Sequence, residues 1–136
     1  MKKLLSILCL SIVVLTVASC KKETVVAPNT NRTFIFDIAA SDWQQTTNQV
    51  SYYTNLNEPA LDNYLHLNGA VLVYISFDGE KTYEQVPETY EGVAYSFSHQ
   101  TGSIQVLAQA FDGGLPAINK PGAATIKVVL IDSDTN

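Results

Sequence analysis

Few residues in this 136-residue chain carry the chemistry that catalysis needs. Only two histidines occur, His66 and His99. Ser98 precedes His99, which invites comparison with a nucleophile and its base. Neighbouring residues of a strand point to opposite faces, so this pair is not expected to share a hydrogen bond, and His99 is expected at the end of a core face. His66 falls in a short helical segment, with no acid or nucleophile tied to it by spacing. The chain contains no G-x-S-x-G, no H-E-x-x-H and no G-x-x-x-x-G-K-[ST]. Two histidines this far apart, with no thiolate beside them, are not expected to make a zinc site; no metal site and no cofactor is expected. Asp132-Ser133-Asp134 alternates carboxylates as calcium ligands do, but lacks the EF-hand glycine and glutamate. It reads as a solvated tail. Asp78, Glu80, Glu84, Glu88 and Glu91 lie near expected hairpin ends, where carboxylates keep strand edges soluble.

The aromatic residues are more suggestive. All seven tyrosines lie between Tyr52 and Tyr95, and the single tryptophan, Trp43, precedes them. Tyr95 and Tyr52 are expected in the core; Tyr53, and either Tyr74 or Tyr83, are expected to face outward. Exposed Tyr and Trp beside Asn and Gln suit stacking on a sugar or contact with a protein. Trp43 and Tyr53 are therefore the candidate ligand-binding residues. Trp43 opens a polar stretch, Gln44 to Gln49, where an indole either plugs the end of the domain or stands exposed. Plugging is favoured, because an indole buries some 150–250 Å².

These residues must be positioned by strands. From Thr33 onward apolar residues recur at period two, not 3.6. Seven strands are expected: from Thr33, around Val50 to Leu56, Ala70–Phe77, Tyr83–Val86, Val93–His99, Ile104–Phe111 and Ala124–Ile131. Pro87 suits an edge. Turn signals separate the runs at Asp78-Gly79, Thr101-Gly102, Asp112-Gly113-Gly114 and Lys120-Pro121-Gly122. The pattern predicts an all-β fold, an antiparallel immunoglobulin-like β-sandwich of about seven strands. The segment Pro59–Gly69 predicts one or two helical turns, with Pro59 in the first turn and Gly69 at the C-terminus. A two-residue loop at Thr101-Gly102 pairs His99 with Ile104, Phe97 with Val106, Tyr95 with Ala108 and Val93 with Ala110, all on one face. At Asp78-Gly79, a two-residue loop sets Tyr83 opposite Tyr74 and a three-residue loop sets it opposite Ile75.

The N-terminus is not part of this domain. Met1-Lys2-Lys3 is followed by an apolar run, Leu4 to Val17, and then by the small residues Ala18 and Ser19. That is the order of a secretory signal, and the run is short of the roughly 20 residues of a spanning helix. Val17-Ala18-Ser19-Cys20 resembles the bacterial lipobox. The resemblance implies removal of residues 1–19 and a lipidated Cys20 whose acyl chains hold the protein to membrane lipid. Two or three chains anchor stably where one is marginal. Residues 20–32 then form a polar tether, and residues 33–136 the folded domain. Removing the signal leaves 117 residues, with six basic against thirteen acidic side chains, and takes Cys9 with it. Such a domain is large enough to rely on a packed core.

Composition narrows the class of partner. With 46% hydrophobic and 15% charged residues the chain is globular. Its net charge of −5 is opposite to the basic face of a nucleic-acid binder, so no nucleic acid is expected. Gly69-Ala70-Val71-Leu72-Val73-Tyr74, Val86-Pro87, Tyr95-Ser96-Phe97 and Ile126-Lys127-Val128-Val129-Leu130-Ile131, together with the lipobox and tether, resemble small single-domain lipoproteins of Bacteroidota. The likeness covers about 100 residues. Its motifs are structural and carry over no catalytic residue. It implies a cell-envelope location at the outer membrane. The expected role is a non-catalytic binding or structural module, with an envelope protein or glycan as partner. The alternative is an accessory glycan-binding lipoprotein using Trp43 and Tyr53.

Overall fold

The computed structural model describes residues 30–112 and 117–133. The signal segment, Cys20, most of the tether, Gly113-Gly114 and Asp134 lie outside the described residues. Nine strands form two antiparallel sheets. The first orders β1 (Arg32–Ile38), β9 (Ala124–Ile131), β4 (Ala70–Ser76) and β5 (Glu84–Val86) side by side. The second orders β2 (Gln44–Gln45), β3 (Tyr52–Asn57), β8 (Ser103–Ala110), β7 (Val93–Gln100) and β6 (Glu88–Tyr90). The expected β-sandwich is thus present. Its two unexpected strands, β2 and β6, are short outer strands of two and three residues.

Period two decides what each strand buries. On β9, Ile126, Val128 and Leu130 are buried, opposite Ile75, Val73 and Val71 of β4. On β8, Ile104, Val106, Ala108 and Ala110 face inward, while Gln105 is exposed. The register of β7 and β8 is the expected one: His99 opposite Ile104, Phe97 opposite Val106, Tyr95 opposite Ala108 and Val93 opposite Ala110. Phe97 nevertheless stays half-buried. The reason is lateral: β6 covers β7 only as far as Tyr95, which pairs with Glu88.

The hairpin after β4 follows neither expected register. Ile75 pairs with Glu84 and Val73 with Val86, so the loop is longer and Tyr83 lies outside the strand. The carboxylate of Asp78 organises this loop. It accepts hydrogen bonds from the Ser76 hydroxyl at 2.8 Å and the Thr82 amide at 2.9 Å, and the Glu80 amide donates to Ser76 Oγ at 3.0 Å. Led by the Thr82 amide, these donors pull the Asp78 pKa down to about 2. Tyr74 and Tyr83 both flank the Lys127 ammonium, at 4.7 and 4.0 Å from their ring centres.

The helix also starts later than expected. Helix α1 spans Asn63–Asn68 and is capped by Asp62, whose carboxylate accepts the Leu65 amide at 2.9 Å. Pro59 lies in the turn before it. A short polar cap outcompetes proline as the start signal because it satisfies an orphan amide. Gly69 ends the helix with φ −86°, so its small size, not a left-handed backbone, is what the site uses. A Cβ there would stand 2.6 Å from the Ile131 carbonyl oxygen and 2.9 Å from Leu65.

Arg32, α1 and the β7–β8 turn share one end of the sandwich. Arg32 pairs with Leu130, Ala70 with Ile131, and the Gly102 amide donates to the Leu61 carbonyl at 2.7 Å. Trp43 closes the other end. Its side chain is 1% exposed, its indole N–H donates to the Gly122 carbonyl at 3.1 Å, and it meets Tyr95 edge-on with centroids 6.3 Å apart. Trp43→Ala is expected to cost about 3–5 kcal/mol, as large core truncations do. Chemical denaturation measures the loss, and acrylamide should barely quench the wild-type emission. Because Phe97 is only half-buried, Phe97→Ala should cost less than Trp43→Ala.

Candidate functional site

Trp43, one of the two expected ligand-binding residues, has no free ring face because the sandwich buries it. That removes it as a stacking platform. Tyr53 stands on the outer face of the five-stranded sheet, partly exposed, and its hydroxyl donates to Gln44 Oε1 at 2.9 Å. The register sets Gln44, Tyr53, Leu107 and Ser96 in one row across this face, with Asn55, Gln105 and Ser98 in the next. A shallow depression of about 220 Å³ lies over the second row. Trp43 and Tyr53 therefore do not form one site.

A large concavity lies at the Trp43 end. It is an open cleft of about 660 Å³ between the β6–β7 turn, the end of β8 and the segment 117–123. Its apolar wall is an aromatic chain anchored on Trp43. Tyr95 packs against Trp43, Phe77 against Tyr95 at 5.2 Å, and Tyr90 stacks on Phe77 at 4.5 Å with ring planes 14° apart. Phe111 lines the same cleft and is 71% exposed. Glu91, Asp112, Asn119 and Lys120 supply polar groups to its lining.

Local sequence explains how these residues reach the cleft. Glu91 and Gly92 both take positive φ, 49° and 80°, which makes the tight β6–β7 turn that suits the sheet twist. It presents Tyr90 beside Phe77. Phe111 follows Ala110, the last inward residue of β8, so alternation turns it outward. An apolar residue in the outward phase, beside an Asp-Gly-Gly turn, was the signal available in the sequence. Burial pushes the Tyr95 hydroxyl up to about 12, with Glu88 and Glu91 adding to the rise. Tyr95 thus remains a neutral phenol and serves as a wall, not as a base.

Two further clusters lie outside this cleft. His66 and His99 meet at the α1 end, Nδ1 to Nδ1 at 3.1 Å. Sequence spacing held no hint of this pairing. The Val86–Pro87 peptide bond, between β5 and β6, is cis. Here the chain crosses from one sheet to the other and brings Glu84 and Glu88 together at the open edge of the sandwich. Both sit at inward register positions, opposite Ile75 and Tyr95. Burial, then a hydrogen bond to Glu84 and its charge, raise the Glu88 carboxyl to about 7. Among the described residues no group of three or more His, Cys, Asp or Glu is placed to hold a metal ion.

A scan against protein-family models, a search of curated proteins and a search of solved structures each return no match.

The Glu84–Glu88 pair makes a pH prediction. Glu88 holds its proton up to about pH 7 in the folded chain, against an ordinary value of 4.5. Between these values the folded state binds more protons than the unfolded one, so stability falls as pH rises through the window. His99 acts in the opposite sense, because burial and then the His66 charge lower its pKa; acidification costs stability there. The Glu88→Gln variant removes this titrating carboxyl. Its denaturation midpoint should lose the decline between pH 5 and 8 that wild type shows at that site.

Proposed function

We propose that this protein is a lipid-anchored, non-catalytic binding module of the cell envelope, and that the cleft at the Trp43 end takes a glycan. The cleft carries the reading. Stacked and exposed rings beside carboxylate, amide and ammonium groups suit a sugar. The apolar faces of a pyranose lie on rings, and its hydroxyls take hydrogen bonds from the polar groups. The expected lipid anchor at Cys20 supports the orientation. The chain enters β1 at Arg32, at the α1 end, so a tethered domain would turn its cleft away from the membrane. The likeness to small Bacteroidota lipoproteins points to the same location, the outer membrane.

Phe111→Ala is expected to weaken binding of an envelope polysaccharide by about tenfold, or about 1.4 kcal/mol, with an unchanged melting temperature. A glycan microarray followed by calorimetry on wild type and variant measures both. No glycan bound by wild type, or equal binding by Phe111→Ala, overturns the assignment of the cleft.

The anchor has its own test. Cys20→Ala should abolish labelling by a fatty-acid precursor and leave an uncleaved chain. Equal labelling of variant and wild type would remove Cys20 as the acylated residue.

A further inference from the structure

The cleft does not involve the two histidines, and they support an inference of their own. We propose that His66 and His99 form a two-imidazole site for a borderline first-row divalent cation, of the zinc or copper type. The two rings come from separate segments and meet edge to face, with centroids 5.1 Å apart and planes at 85°. Their Nδ1 atoms stand 3.1 Å apart. Metal–nitrogen bonds to histidine run roughly 2.0–2.1 Å. Two nitrogens at this separation therefore subtend about 95–102° at a shared metal, between square-planar and tetrahedral angles. No backbone movement is needed to bring them together.

Both ligands are held by rigid elements. His66 lies in α1, where its amide donates to the Asp62 carbonyl at 2.9 Å. His99 is paired with Ile104 in the β7–β8 ladder. The two elements are themselves bonded: the Gly102 amide donates to Leu61, and the Glu58 amide donates to the Gly102 carbonyl at 2.9 Å. Both rings are only half-buried, which leaves solvent a route to the site.

Neutral imidazole is the ligand form of histidine. With both rings neutral, one Nδ1 carries the proton that the other accepts. When a cation binds, the donor ring moves that proton from Nδ1 to Nε2 through water. Both Nδ1 lone pairs then face the metal, and no net proton is released. Imidazole nitrogen suits zinc, copper and nickel rather than calcium or magnesium. Water fills the remaining coordination positions.

Zinc chloride alone is the probe, added to the full-length chain in detergent with its thiols alkylated. One zinc per chain is expected by calorimetry, with selective shifts of the His66 and His99 ring signals in proton–carbon NMR. His66→Ala and His99→Ala should each weaken binding by roughly tenfold or more, since even outer-shell partners of metal ligands carry losses of that size. Magnesium should produce no such shifts. One-to-one binding that persists in both variants overturns the proposal. So does a wild-type spectrum whose two histidine signals stay unmoved at saturating zinc, a readout that needs no variant to fold.

Discussion

The end of the sandwich that bears the cleft depends on the buried indole of Trp43. Its N–H is satisfied by the Gly122 carbonyl, so the ring can be buried without an orphaned donor, which would cost about 1–3 kcal/mol. That single bond ties the loop after β1 to the segment before β9, 79 residues apart. The ring then supports Tyr95, Tyr95 supports Phe77, and Phe77 supports Tyr90. A ligand at the cleft would rest on surface aromatics backed by a packed core rather than on mobile side chains. Preorganisation of that kind limits the ordering cost of binding.

The two sheets meet differently along their open edge. β5 and β6 are the outer strands of the two sheets, and the chain passes between them at Val86–Pro87. Their short length leaves Phe97 half-covered and places two carboxyls where the sheets face one another. Like charges in a partly buried site favour a shared proton over two ionised groups. The Glu88 carboxyl therefore keeps its proton well above the ordinary carboxylate range, and the edge lies close to the Tyr95 wall of the cleft. The Glu88 charge already contributes to the high pKa of Tyr95, so the two features are electrostatically linked.

The ends of the domain differ in chemistry. One end carries the aromatic cleft. The other gathers the start of β1, helix α1, the β7–β8 turn and both histidines. Gly69 is central to this second end, because α1 can turn into β4 only where no Cβ blocks the Ile131 carbonyl. If Cys20 anchors the chain, the imidazole pair faces the membrane side and the cleft faces away from it.

Period-two alternation determined much of this protein from the sequence alone. It marked seven of the nine strands and the inward face of β8. It also marked the full β7–β8 register, because a one-residue slip there would bury Gln105 and expose Val106. The helical interruption and the outward position of Tyr53 were legible for the same local reasons. Alternation says which face a residue takes, but not what lies beside it across the sheet or at the strand end. Tertiary structure alone decided that Trp43 is a plug, that Phe77, Tyr90 and Phe111 share a cleft, and that Glu84 meets Glu88. The loop after β4 escaped because side-chain bonds from Asp78, not loop length, set its register. The His66–His99 contact escaped because 33 residues separate the two rings, and only the docking of the β7–β8 turn on the segment before α1 brings them together.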